Sequence, residues 1–172
     1  RIDKLIKDAI AKTNAKSGSK SKKTFTLTPE AKALANRFEL NKGKLPWPVE
    51  SGLVVRKFGR QPHPTLSGIT IQSSGLHIVT QKNSNAECIF NGEVFSVLKL
   101  AEGKKSVMVR HGNYITAYNN LEQIYVNKGD KVTTGQALGK IFTDKITGKT
   151  KLVFVLFKDT QRLNPSSWIL KR

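Results

Sequence analysis

From Leu45 onward the apolar positions fall in short runs rich in Val, Ile, Phe and Tyr, separated by turn pairs such as Asn91-Gly92, Glu102-Gly103 and Thr134-Gly135. This rhythm predicts a mainly β chain folded as a compact sandwich or barrel. Within it, Val126 to Ile141 carries Gly129 and Gly135 on either side of Val132, so a strand can reverse sharply before and after a short buried stretch. The pattern changes toward the N-terminus. Ile2, Leu5, Ile6 and Ile10 recur at helical spacing, which predicts that residues 1–14 end a longer amphipathic, coiled-coil-like helix. Residues 15–27 open with the Ser, Gly and Lys of AKSGSKSKK and read as a flexible linker that marks a domain boundary.

A second helix is expected in residues 28–43. Thr28 suits its N-cap, Pro29 its first position and Glu30 the positive end of its dipole, while Gly43 stops it. Ala31, Leu34, Ala35 and Phe38 make a narrow apolar stripe that fits either packing on the domain's own surface or a regulatory cover over a groove. Residues 44–172 then form the one globular domain.

Composition adds limits. With 172 residues, 38% of them hydrophobic, the chain supports one core plus an appendage. No run approaches the roughly 20 apolar residues of a membrane span. The first residues, Arg1-Ile2-Asp3-Lys4, hold neither an initiator Met nor a signal-peptide core, so a fragment or mature product is expected. The net charge of +18 draws the protein toward polyanions: nucleic acid, anionic lipid headgroups or acidic wall polymers. Its basic residues are scattered over turns and strands without an aromatic-rich RNA-binding run, which argues against dedicated nucleic-acid binding. Cys88, the single cysteine, lies in Glu87-Cys88-Ile89-Phe90 and reads as a buried, inert thiol.

Several segments in order carry a family resemblance: Lys44-Leu45-Pro46-Trp47-Pro48-Val49 with Phe58-Gly59, then Gly75-Leu76-His77-Ile78 leading to Asn91-Gly92-Glu93-Val94. Val107 to Leu121 (VMVRHGNYITAYNNL), the Gly129/Gly135 turn, Leu152 to Phe157 (LVFVLF) and Leu163-Asn164-Pro165 with Trp168 complete the set. Together they resemble the LytM/lysostaphin-type zinc endopeptidase family over nearly all of residues 44–172, which implies a mainly β, antiparallel β-sheet or sandwich domain preceded by N-terminal helices. In that family zinc is held by a His-x-x-x-Asp pair and the second His of a His-x-His strand. The first His of that strand and another in a Tyr-x-His-Leu segment assist the attacking water. Carried onto this chain, those positions are Ser73, His77, Lys151, Val153 and Asn120.

The resemblance therefore implies a domain without metal, cofactor or catalytic residues. Val153 has no donor atom, the Ser73 hydroxyl is a poor zinc ligand, and Lys151 would bring a positive charge to the ion. His77 could still ligate, and a site rebuilt from His63, His77 and His111 is the other arrangement with donor atoms. A degenerate domain that follows a coiled coil is similar to the EnvC-type murein hydrolase activators. That likeness implies a non-catalytic activator of N-acetylmuramoyl-L-alanine amidases, the peptidoglycan amidases of cell division and daughter-cell separation. It also implies a periplasmic location in the cell envelope and control by an FtsE-FtsX-type division complex through the coiled coil. The former active-site groove at Ser73, His77, Asn120, Lys151 and Val153 would receive the partner, and the helix bearing Leu34 and Phe38 would cover it at rest. A cell-wall (peptidoglycan) binding module is the alternative, and a metallopeptidase with a rebuilt zinc site the third reading.

Overall fold

The computed structural model of the protein describes residues 27–63, 65–73 and 75–170. The expected helix end at 1–14 and nearly all of the linker at 15–27 lie outside the described residues. Helix α1 (Pro29–Leu40) starts as anticipated, with the Thr28 hydroxyl accepting the Ala31 N–H at 3.1 Å and Pro29 in the first turn. Past its end, Gly43 adopts φ +81° and donates its N–H to the Trp168 carbonyl at 2.8 Å, which ties the end of the helix to the C-terminal segment.

Twelve strands follow: β1 (Leu53–Arg56), β2 (Gly59–Pro62), β3 (Thr70–Ser73), β4 (Leu76–Thr80), β5 (Asn85–Glu87) and β6 (Gly92–Lys99), then β7 (Lys105–His111), β8 (Tyr114–Ile124), β9 (Lys131–Val132), β10 (Ala137–Ile141), β11 (Thr150–Lys158) and β12 (Gln161–Leu163). A 10-stranded antiparallel sheet runs β1-β4-β11-β8-β7-β6-β9, with β10 joining β8 and β5, and β12 joining β11; β2 and β3 form a separate ribbon. The fold class read from the sequence is thus the observed one.

Side chains of the sheet sort by the period of two that strands impose. On one face Leu76, Ile78, Val107, Val109, Tyr118, Leu152, Phe154 and Leu156 join the main core, all fully buried. On the other, Met108, Ile115, Ala117, Val155 and Phe157 form a second buried cluster, against which Leu27, Phe95, Leu98 and Val153 pack. The Gly129/Gly135 reversal exists as anticipated, with φ of +94° and +85° at its glycines and Val132 buried between them. Cys88 is buried as expected, and burial pushes its thiol up to about 11.

Helix α1 is seated at the β7–β8 hairpin. Gly112 sits there at φ +72°, where a Cβ would come within 2.5 Å of the Ala31 carbonyl oxygen and 2.6 Å of the Ala35 side chain, so only glycine lets the helix approach. Phe38 is fully buried among Phe90, His111, Tyr114 and Trp168, with ring centroids 4.8–5.7 Å away. The neighbouring Glu39 accepts a very short hydrogen bond from the Tyr114 hydroxyl.

Candidate functional site

Strand register brings candidate positions onto one face of the sheet. Paired residues of adjacent antiparallel strands share a face, and the pairs Arg56↔His77, His77↔Val153, Val153↔Asn119 and Asn119↔Ser106 draw one row across β1, β4, β11, β8 and β7. The pairs Leu53↔Val79 and Val79↔Lys151 draw a second row on the same face. His77, Lys151 and Val153 therefore stand together on the face opposite the main core.

Ser73 and Asn120 have polar groups committed to the backbone. Ser73 ends β3, is 6% exposed, and its hydroxyl donates to the Gly75 carbonyl at 2.7 Å while accepting the Gly75 N–H at 3.3 Å. Asn120 stands where β8 leaves β11 for β10. It adopts φ +75°, and its side-chain amide donates to the Lys151 carbonyl at 2.7 Å, which the broken ladder would otherwise leave without a strand partner. Asn119, the residue before it, lies in the groove row instead, and its Oδ1 accepts the Ser106 hydroxyl at 2.5 Å.

The electrostatics of this face are one-sided. Burial, then Lys151 and Arg56, lower the His77 pKa to about 4, so its imidazole is neutral at pH 7. The His77 Nδ1 is buried and has no hydrogen-bond partner among the described residues. Burial also lowers the Lys151 ammonium, and after it the charges of Arg56, Lys104 and Lys149; Asp144 is the opposing charge. That carboxylate is already engaged, since Asp144 Oδ1 accepts the N–H groups of Ile146 at 2.7 Å and Thr147 at 3.0 Å.

A metal ion does not fit the side chains at these positions. An ammonium has no lone pair to offer, a valine has no donor, and the Ser73 hydroxyl and Asn120 amide are spent on backbone groups. Nor do the three histidines meet. His63 accepts the N–H groups of Thr65 and Leu66 at 3.1 and 3.0 Å in the turn after β2. His111 is fully buried, stacked on Phe38. Its Nδ1 donates to the Asn91 carbonyl at 2.7 Å, which leaves Nε2 to accept from the Thr116 hydroxyl at 2.9 Å. Among the described residues no group of three or more His, Cys, Asp or Glu is placed to hold a metal ion, so the rebuilt site drawn from His63, His77 and His111 does not form.

Leu34 and Phe38 are not brought to this row. The helix meets the sheet at Gly112 and Tyr114, five strand positions from Asn119, or about 17 Å along β8. Phe38 is spent on the core, and Leu34 lines a cleft of about 910 Å³ between α1 and the β6–β9 edge, which no groove residue lines. A covering role for the helix has no contact to rest on. Sequence reasoning also passed over Arg56, Asn119, Lys104 and Lys149. Each looks like an ordinary strand or turn residue until the fold sets Arg56 opposite His77, Asn119 opposite Val153, and Lys104 and Lys149 near Lys151.

Comparison with known proteins agrees with this architecture. No curated protein sequence matches the chain. The fold is similar to Helicobacter pylori Csd3 at a TM-score of 0.61 and 22% identity, over 74% of this chain and 35% of Csd3. The chain thus spans about a third of the length of that relative. The SpoIIQ-SpoIIIAH pore forming complex contains a similar chain, at a TM-score of 0.61 and 23% identity over 76% of this chain and 93% of that one. Lysostaphin from Staphylococcus simulans, an antimicrobial peptidase, gives a TM-score of 0.54 and 16% identity over 73% of this chain and 52% of that one. Residues 72–165, more than half of the chain and the stretch that carries β4, β8 and β11, match Peptidase family M23, and the protein belongs to that family.

Proposed function

We propose that this protein is a non-catalytic member of its family that acts in the cell envelope by binding a partner protein, and that the partner is a peptidoglycan amidase which it activates. One observation supports the reading above others: the face that the family resemblance assigns to the metal carries His77, Val153 and, one row away, Lys151, whose charge repels a cation and attracts an anion. On this reading the face binds a partner without the chemistry of a hydrolase. The SpoIIQ-SpoIIIAH complex is a precedent for a similar chain that assembles with a second protein. A periplasmic location and coupling to an FtsE-FtsX-type complex through an upstream coiled coil belong to the same reading.

The deciding experiment is release of dye from labelled peptidoglycan by N-acetylmuramoyl-L-alanine amidase, with and without this protein. Stimulated release with the amidase, and none by the protein alone, is the expected result. Lys151→Glu should lose that stimulation while keeping the wild-type melting curve. Release by the protein alone, or stoichiometric zinc on elemental analysis, would overturn the proposal. The second reading, a peptidoglycan-binding module, draws on the net charge of +18. It predicts salt-sensitive pull-down with purified wall and no effect on the amidase.

A further inference from the structure

The candidate face has a property that loss of a metal site does not require: its charged groups, Arg56 and Lys151, are both cationic donors. Arg56 on β1 pairs across the ladder with His77, and Lys151 on β11 stands diagonally from it on the same face. His77 contributes an Nδ1 that is buried without a partner, an arrangement that costs free energy unless something outside the described residues satisfies it. Asn119 has its oxygen bound by Ser106, and its amide N–H groups bond to no other described residue. Lys104 and Lys149 add positive charge around Lys151, against which Asp144, whose Oδ1 caps its own loop, is the opposing charge.

We infer that the floor of the groove, over His77 and between Arg56 and Lys151, is a carboxylate seat that receives an Asp or Glu side chain of an extended segment of a partner protein. This rests on the partner-binding reading above and names the chemistry recognised. An incoming carboxylate would accept charge-assisted bonds from the Arg56 guanidinium and the Lys151 ammonium, above the neutral His77 ring. It would reverse the charge preference of a zinc site at the same place in the fold.

A polypeptide is favoured over a phosphate-bearing wall polymer by what flanks the seat. Leu53, 69% exposed, and Val79, its cross-strand partner, present apolar surface on the same face one row away. Val55, 51% exposed, protrudes beside Arg56 where the bulge places both residues opposite His77. A peptide with an acidic residue and an apolar residue two positions on would match both surfaces, since alternate side chains of an extended chain share a face. A sugar-phosphate chain matches only the charge.

The test is NMR titration of the 172-residue chain with a blocked peptide repeating Glu-Ser-Leu-Ser, which sets Glu and Leu two positions apart, with its Gln-for-Glu counterpart, and with inorganic phosphate. The Glu peptide should shift the His77 imidazole and the amides of Leu53, Arg56, Val79 and Lys151. Its affinity should fall at least about tenfold in Arg56→Glu/Lys151→Glu and less than about threefold in Lys32→Glu/Lys128→Glu, which makes the same charge change elsewhere. Circular dichroism melting checks that both variants fold. Equal losses in the two variants, equal binding of the Gln peptide, or an unmoved His77 would overturn the seat. Phosphate that reproduces the His77 shift and displaces the peptide would overturn the choice of a protein carboxylate. The two proposals fail separately: amidase stimulation lost in Lys151→Glu with His77 unmoved by peptide sinks the seat alone. A seated peptide with an unresponsive amidase sinks the activator reading alone.

Discussion

His77 and His111 bring the same chemistry to opposite ends of the fold. One lies on the groove face with an unpartnered nitrogen, the other is locked in the core by Asn91 and Thr116, and burial first of all lowers both to about 4. An unfolded histidine takes its proton near pH 6.5, so between pH 6.5 and 4 the unfolded state binds more protons than the folded one, and stability falls as pH falls through that window. The loss levels off below about 4, once the folded state also protonates. For fully buried His111 it is on the order of 3 kcal/mol; partly buried His77 adds in the same direction. Urea unfolding midpoints should therefore drop between pH 7 and pH 4.5, and a flat profile would contradict the assigned burial. Asn120 gives a second test at this scale. Its positive φ and its bond to the Lys151 carbonyl make Asn120→Ala cost about 1–2 kcal/mol, by urea unfolding, from left-handed strain plus a lost hydrogen bond. Asn120→Gly keeps the backbone easy and forfeits only the amide, so it should cost less than the alanine; the reverse order would remove the hinge role.

Helix α1 carries the main lesson at the scale of elements. Its bounds were legible, because Thr28, Pro29 and Gly43 act through local backbone chemistry that operates in any context. Its destination was not. A stripe of Ala31, Leu34, Ala35 and Phe38 says that something is covered without saying what, and the tertiary structure places Phe38 in an aromatic nest at the β7–β8 hairpin. Phe38→Ala should then cost about 3–5 kcal/mol in thermal or urea unfolding, as for other buried aromatic truncations. Gly112→Ala should destabilise by more than the roughly 1 kcal/mol of an ordinary glycine replacement, since it combines a positive φ with a clash against the helix backbone. Wild-type stability in either variant would mean that the helix is a detachable cover after all. Deleting residues 29–40 should likewise unfold the domain by circular dichroism rather than switch the groove on, because the deletion removes core.

For the whole molecule the net charge of +18 sets a long-range preference for acidic partners, and the groove concentrates it. Association with any acidic partner should weaken steeply between low and physiological salt, measured by pull-down or calorimetry; salt-independent binding would point to apolar contacts alone. The mainly β architecture and the family were readable in the sequence, since alternation, turn glycines and ordered motifs are local or one-dimensional signals. So was the unsuitability of Val153 and Lys151 as metal ligands, which follows from side-chain chemistry wherever they sit. What stands beside them was decided only by strand register. Arg56 reaches His77 through a bulge and a pairing between strands that are not adjacent in sequence, Asn119 rather than Asn120 faces the groove because β8 changes partner there, and the three histidines part company. A one-residue slip in any ladder would turn each of those side chains to the other face, and no local pattern carries that information.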